Sequence, residues 1–330
     1  MAVEPAGTMI RMGIIGAGQA GLLHARAVVA SPRAVLTHVV DADRGRGERL
    51  AADAGARYSP DHRGVLGEVD AVTICVPHTA LAGIAIDVAR AGVHMILEKP
   101  MATTLEDADR VMAAARATGV VLMIGFVHRY RPEAQRAYQL VTSGAIGAPC
   151  FLTDHGAGGG QAAWPAWVQR ARDGGGALLY SGVHRIDRAR WLLGRRVATV
   201  YGSTAALLPG SDADSSFAAL LAFEEGLRAA ITHHYHAIAI SPQWETDIYG
   251  ADGVIRMRTG ESLEIITPSR TWREDAGPDR RFEEEVAAFL DAIEGNSSVI
   301  PSGDDGRAAL EIALAIVASH ATGRAVSVPG

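Results

Sequence analysis

The chain has 330 residues, 48% of them hydrophobic and 21% charged, enough for a sizeable core and typical of a globular enzyme. Its length favours two domains, since single cores stop growing at roughly 250 to 300 residues. A formal net charge of -6 leaves no broad basic surface for a phosphate backbone, so nucleic acid is not an expected partner. Cys75 and Cys150 have no spacing that suggests a disulfide framework or a structural metal. Met1 to Met9 lack the basic start and apolar run of a signal peptide. They read as a loose leader, with Met9 as an alternative start. No later run reaches transmembrane length, so the expectation is a cytoplasmic protein without a membrane partner.

From Met9 to about Phe126, short apolar runs alternate with Ala-rich helical segments, the pattern of βαβ units in a parallel sheet. Strands are expected at 12–15, 35–40, 71–76, 94–97 and 120–124, with helices at 22–29, 48–54, 81–91 and 105–118. Past Arg129 the texture changes. A helix at 133–142, a Gly-rich stretch and a strong helix at 177–193 precede β-like segments at 198–205, 215–223, 227–236, 244–249 and 253–257. Two helices, 281–294 and 304–322, close the chain. The expected fold is α/β: a Rossmann-type doubly wound parallel sheet over 1–127, then an α+β domain with a large, mainly antiparallel sheet over 128–330.

Gly16-Ala17-Gly18-Gln19-Ala20-Gly21 follows an apolar strand and opens a helix, the context in which GxGxxG acquires meaning. Gly16 permits the tight turn, Gly18 the close approach of a pyrophosphate, and Gly21 close helix packing. Gln19 and Ala20 begin the helix whose N-terminal amides face the phosphates. Asp41 closes the second strand about twenty residues on, where a carboxylate accepts hydrogen bonds from the adenosine ribose. That points to NAD. Arg44 and Arg46 follow at once, and would cover a 2′-phosphate if Asp41 turned away, which keeps NADP open.

Glu98-Lys99-Pro100 adds a lysine at the carboxyl edge of a parallel strand, where such folds place ligands. The glycine loop with His24, Asp70 to Pro77, Glu98 to Ala102, Gly174 to Leu179 and Gly182-Val183-His184-Arg185-Ile186-Asp187 together resemble the glucose-fructose oxidoreductase/inositol dehydrogenase/rhizopine catabolism (Gfo/Idh/MocA) family over nearly the whole chain. The resemblance implies hydride transfer between a nicotinamide and a carbinol or carbonyl carbon of a sugar, nucleotide sugar or cyclitol. It implies Pro77, Glu98 and Lys99 at the cofactor, and Lys99 on the reacting oxygen, where an ammonium stabilises developing alkoxide charge. Pro100 is expected to follow a cis bond. The resemblance also implies self-association, as a homodimer or homotetramer, through the C-terminal sheet.

One motif departs from the family. Many relatives read Asp-x-Gly-x-His where this chain reads Tyr180-Ser181-Gly182-Val183-His184. On a regular helix Tyr180, His184, Asp187 and Trp191 share one face. A phenol can donate a proton itself, with Lys99 lowering its pKa, so Tyr180 and Lys99 are expected to form the acid/base unit. His184 then shares the relay or holds substrate. A tyrosine at this position leans the resemblance toward ketosugar reductases. The altered motif also keeps a non-catalytic, dinucleotide-binding sugar sensor as the alternative.

Arg129, in His128-Arg129-Tyr130, lies where the family enters its second domain and is expected either to touch substrate or to form a structural salt bridge. His155, Gln161, Trp164 and Trp167 surround the Gly-rich stretch Gly156 to Gly160, expected as a loop that lines a sugar site or is anchored by its tryptophans. In His233-His234-Tyr235-His236 only His234 and His236 point the same way on a strand, and no metal site is expected.

Overall fold

A computed structural model of the protein describes residues 9–161, 164–298 and 300–329; the leader expected over Met1 to Met9 lies outside them except for Met9. The described residues divide into two compact units, one running to Gly125 and including Phe282–Asp304, the other comprising Phe126–Arg281 and the chain from Asp305 on.

In the first unit β1 (Ile10–Ile15), α1 (Gln19–Ala30), β2 (Ala34–Val40), α2 (Arg44–Ala54), β3 (Arg57–Ser59), β4 (Ala71–Ile74), α3 (His78–Arg90), β5 (His94–Leu97), α4 (Leu105–Thr118) and β6 (Leu122–Ile124) follow in order. The six strands are parallel in the order β3-β2-β1-β4-β5-β6, so the chain reverses direction of build beside β1. Such a switch point opens a crevice at the carboxyl ends of the strands. All four residues of β4 are buried, which is why these strands read as continuous apolar runs. Local chemistry sets the helix ends: Thr104 accepts the Asp107 amide at 3.2 Å to start α4, and Gly119 ends it with a left-handed residue. β3 is three residues long and carries no periodicity, so the sequence did not reveal it.

The second unit contains α5 (Pro132–Thr142), β7 (Pro149–Gly159), α6 (Val183–Leu193), β8 (Val197–Ala205), β9 (Ser216–Phe223), β10 (Arg228–His236), β11 (Gln243–Gly250), β12 (Gly253–Arg258), β13 (Ser262–Ile266) and β14 (Thr271–Asp275). After α7 (Arg281–Ile293) come α8 (Gly303–Thr322) and β15 (Val326–Ser327). Nine strands form one sheet, β14-β13-β12-β11-β7-β10-β9-β8-β15, antiparallel throughout except for β7 beside β10. A single cut at residue 127 assigns α7 to this unit. Its Val286, Phe289 and Leu290 pack instead in the core formed by Met12, Ile14 and Val28 of the first.

The expected glycine loop at 156–160 is a correction: Gly156 to Gly159 finish β7, the strand between β10 and β11. A Cβ at Gly156 would overlap the Arg185 guanidinium, so glycine there marks a close approach from α6. Composition alone does not separate that from a turn.

Candidate active site

The phosphate loop is built almost entirely from backbone. Gly16 donates its amide to Val40 O at 2.7 Å and adopts φ 101°, where a Cβ would overlap the Cys75 carbonyl. A Cβ on Gly21 would overlap Gly16 O. These two glycines let the protein close on itself. Gly18 differs, because a Cβ there meets nothing within 4 Å. It opens α1 without a side-chain cap, so the amides of Gln19, Ala20 and Gly21 are presented past a bare backbone, the cradle a pyrophosphate needs. The loop therefore fits a dinucleotide.

Asp41 is buried at the end of β2 and accepts from the Ala17 amide at 2.7 Å, the Asp43 amide at 2.7 Å, and Arg46 Nε and Nη2 at 3.0 and 2.8 Å. Burial pushes its carboxyl up, but the Arg46 hydrogen bonds and the two amides outweigh this and hold it below the usual carboxylate range. Asp41 thus ties the loop to β2. Arg44 bonds Glu48 at 2.8 Å, so both arginines offered for a 2′-phosphate are engaged with carboxylates.

Pro77 caps α3 directly after β4. Glu98 and Lys99 follow β5, and the Lys99–Pro100 peptide is cis. Glu98 accepts from His24 Nε2 at 3.1 Å and from the Lys99 amide at 3.2 Å. Burial pulls the Lys99 ammonium below its ordinary pKa against the opposing pull of Glu98. Lys99 is also the sole lysine of the chain.

In the second unit the helix expected at 177–193 is broken in register: Leu178–Gly182 is a π turn and only Val183–Leu193 is α-helical. A π turn takes an extra residue, so Tyr180 is rotated off the regular-helix face of His184 and Asp187. The two rings meet different neighbours. Tyr180 lies edge-on to Trp167 with centroids 5.9 Å apart, whereas His184 lies edge-on to His128 at 4.6 Å and to Phe126 at 5.9 Å. His128 in turn meets Trp244 at 4.6 Å. The Trp244 ring packs beneath Arg185 and Arg188, and its indole N–H bonds Asp154 at 2.7 Å. Asp214 anchors the turn that carries Tyr180. It accepts the Leu178 amide at 2.9 Å, and Gly176, at φ 109°, leaves room for the carboxylate where a Cβ would overlap it. Burial, opposed by the amides of Leu178, Asp214 and Ala177, raises the Asp214 carboxyl to about 6. Trp244 and Asp214 carry no motif, and sequence reasoning missed them, and His128 beside Arg129, as site supports.

Three further residues expected at the substrate make the following contacts. Arg129 is buried, pairs with Asp187 through Nε at 2.8 Å and Asp305 at 3.0 Å, and covers Trp191, the arrangement of the structural salt bridge that was one of its two expected roles. Asp154 points to Arg185 on α6, and alternation therefore puts His155 on the opposite sheet face, with Nδ1 on Thr232 Oγ1 at 2.9 Å. The sheet separates it from His184. Trp164 packs edge-on to Tyr235 at 4.0 Å, and Gln161 bonds Gln169, as an anchored segment does. In the histidine run, His234 and His236 face each other, Nε2 to Nε2 at 3.0 Å, while burial first and then the Arg185 charge push His233 down to about 2 on the other face.

A parallel six-stranded unit with a phosphate cradle, joined in one chain to a unit with a large antiparallel sheet, defines a two-domain dinucleotide-dependent oxidoreductase. Comparison with known proteins narrows the class. Residues 10–126 match the family model described as oxidoreductase family, NAD-binding Rossmann fold, and residues 134–256 match the GFO/IDH/MocA C-terminal domain. The chain is 30% identical to the inositol 2-dehydrogenase of Rhizobium meliloti (strain 1021), covering 97% of this chain and 99% of the relative. It is 29% identical to the uncharacterized oxidoreductase YrbE of Bacillus subtilis (strain 168), covering 96% of each. It is similar to the crystal structure of GenD2 from gentamicin A biosynthesis in complex with NAD, with a TM-score of 0.89 and 25% identity over 100% of this chain and 99% of that one. The chain belongs to the Gfo/Idh/MocA family of NAD-dependent sugar and cyclitol oxidoreductases and is an NAD-dependent dehydrogenase/reductase of CH–OH groups. Among the described residues no helix is long and apolar enough to cross a membrane.

Proposed function

We propose that this enzyme interconverts a ring carbinol and its ketone on a cyclitol or sugar, and that Lys99 binds the reacting oxygen and exchanges its proton. The carrying observation is the setting of Lys99, a half-buried amine next to Glu98 at the carboxyl end of a parallel strand. Burial brings its pKa toward the range where one group can both give and take a proton. Bound NAD supplies the hydride acceptor or donor.

His184 and Tyr180 are its proposed partners. His184 is a buried imidazole held edge-on by two rings, suited to orienting a hydroxyl, and Tyr180 offers a phenol where relatives carry aspartate. Cyclitols come first among sugars, nucleotide sugars and cyclitols, because the similarity to an inositol 2-dehydrogenase spans both units. Self-association through the nine-stranded sheet belongs to the same proposal. Tyr201 and Leu220, paired across β8 and β9, are 52% and 55% exposed.

The test is NADH formation with inositol isomers, free hexoses and nucleotide sugars. Turnover is expected on at least one polyol ring, and Lys99→Ala should lower kcat by about 10²- to 10⁴-fold with NAD affinity kept. A Lys99→Ala enzyme at wild-type turnover overturns the assignment.

A further inference from the structure

Beside Lys99 lie four ionisable groups, His24, Cys75, Glu98 and Glu285, to which the proposed reaction assigns no proton step; His24 and Glu285 are buried and the other two half-buried. His24 comes from α1, Cys75 follows β4, Glu98 and Lys99 follow β5, and Glu285 comes from α7. His24, Cys75 and Glu98 have ligand atoms within 4.8 Å of one another, and Glu285 Oε2 lies 3.7 Å from His24 Nδ1. We propose that Glu285, as an uncharged carboxylic acid, is a positioning residue for Lys99 that acts through His24 and Glu98.

The Glu285 side chain is 0% exposed, and neither of its oxygens has a hydrogen-bond donor. A carboxylate left there would lack both water and a donor, so the group keeps its proton. Burial, reinforced by the charge on Glu98, pushes its carboxyl well above the usual range. Glu98 goes the other way: burial raises it, but the His24 hydrogen bond and the Lys99 charge outweigh that and keep it ionised. Two carboxyls on either side of one imidazole thus settle in opposite states.

An ionised carboxylate only accepts, so the proton between His24 and Glu98 sits on Nε2, and Nδ1 is turned to Glu285. Cys75 adds no charge, since burial holds its thiol well above its ordinary value. Phe282 stands edge-on to His24 at 5.0 Å, and Gly125 leaves Glu98 room where a Cβ would lie 3.2 Å from Cδ. Lys99 therefore sees a single fixed negative charge. Ionising Glu285 would add a second, and removing it would free His24 and loosen the first.

This inference rests on Lys99 as the acid/base group, but its test does not depend on turnover. Because Lys99 is the sole lysine, protein labelled with ¹³C-lysine gives one side-chain signal, whose shift against pH reports the Lys99 midpoint directly. Glu285→Gln, which stays uncharged, should leave that midpoint within about 0.3 units of wild type. Glu285→Leu should lower it by about half a unit or more as Glu98 is released. His24→Asn, which removes the bridge and keeps Glu285, should lower it likewise and covers the case in which Glu285→Leu does not fold. If Glu285→Gln lowers the midpoint as far as Glu285→Leu, Glu285 is charged and the proposal fails. If neither Glu285→Leu nor His24→Asn moves it, Glu285 is structural only, and the proposal fails as well. A failure of the lysine assignment shows separately, as turnover retained in Lys99→Ala.

Discussion

The loop around Gly16–Gly21 and the turn around Gly174–Gly176 are both glycine clusters that lead into a helix, yet opposite constraints build them. In the first, glycines make room for main chain on adjacent strands: Gly16 for the Cys75 carbonyl and Gly21 for Gly16 itself. In the second, Gly176 makes room for a side chain, Asp214, which arrives from far along the sequence and caps the turn of Tyr180. A loop made of its own backbone can be recognised from its letters. A turn made by a distant carboxylate cannot.

The largest effect that would break this comparison lies within the first loop. Gly21→Ala forces a Cβ into Gly16 O and should cost both thermal stability and NAD affinity. Gly18→Ala meets nothing in the protein, and should keep the wild-type Tm while weakening NAD by at least about 1.4 kcal/mol, tenfold in Kd, by calorimetry. Equal losses of stability in both variants would show that Gly18 serves packing instead of the ligand.

The next effect concerns the second unit, where side chains carry the structure. Arg129→Ala leaves Asp187 buried without its main partner and should destabilise the protein by about 3 to 5 kcal/mol in urea titrations. A loss under 1 kcal/mol, accompanied by a large rise in KM, would return Arg129 to the substrate.

The smallest effect is the dependence of stability on pH through Asp214. Its folded value of about 6 lies above the ordinary 3.8, so the protonated carboxyl favours the fold. Its contribution is complete below about pH 4 and is lost as pH rises through about 6, a change of roughly 2 to 3 kcal/mol. Asp214→Asn keeps an acceptor for Leu178 and removes the charge, so its stability should stay flatter than wild type between pH 4.5 and 7 in thermal melts. A mutant with the wild-type slope would place the titrating group elsewhere.

Recognition from sequence was best where constraints are short in range. The strand before Gly16 and the lysine after β5 were legible because a parallel strand buried on both faces is uniformly apolar and its carboxyl end is where ligands lie. The sheet face of His155 was not legible, because it depends on Asp154 meeting Arg185, a contact between β7 and α6. Tyr180 and His184 were placed on one face by regular-helix spacing, and the π turn over Leu178–Gly182, which no spacing rule announces, makes that register irregular.

By itself the sequence determined the parallel-sheet unit and the dinucleotide loop, which follow from backbone rules acting over a few residues, while its motifs carried the family resemblance that put Lys99 forward. Only the tertiary structure decided that Gly156 lies in a strand, that Arg129 is bound to Asp187 and Asp305, and that α7 brings Glu285 to His24 behind Lys99. Those are contacts between buried charges far apart in the chain, and a buried charge takes its state from the partner that folding brings to it.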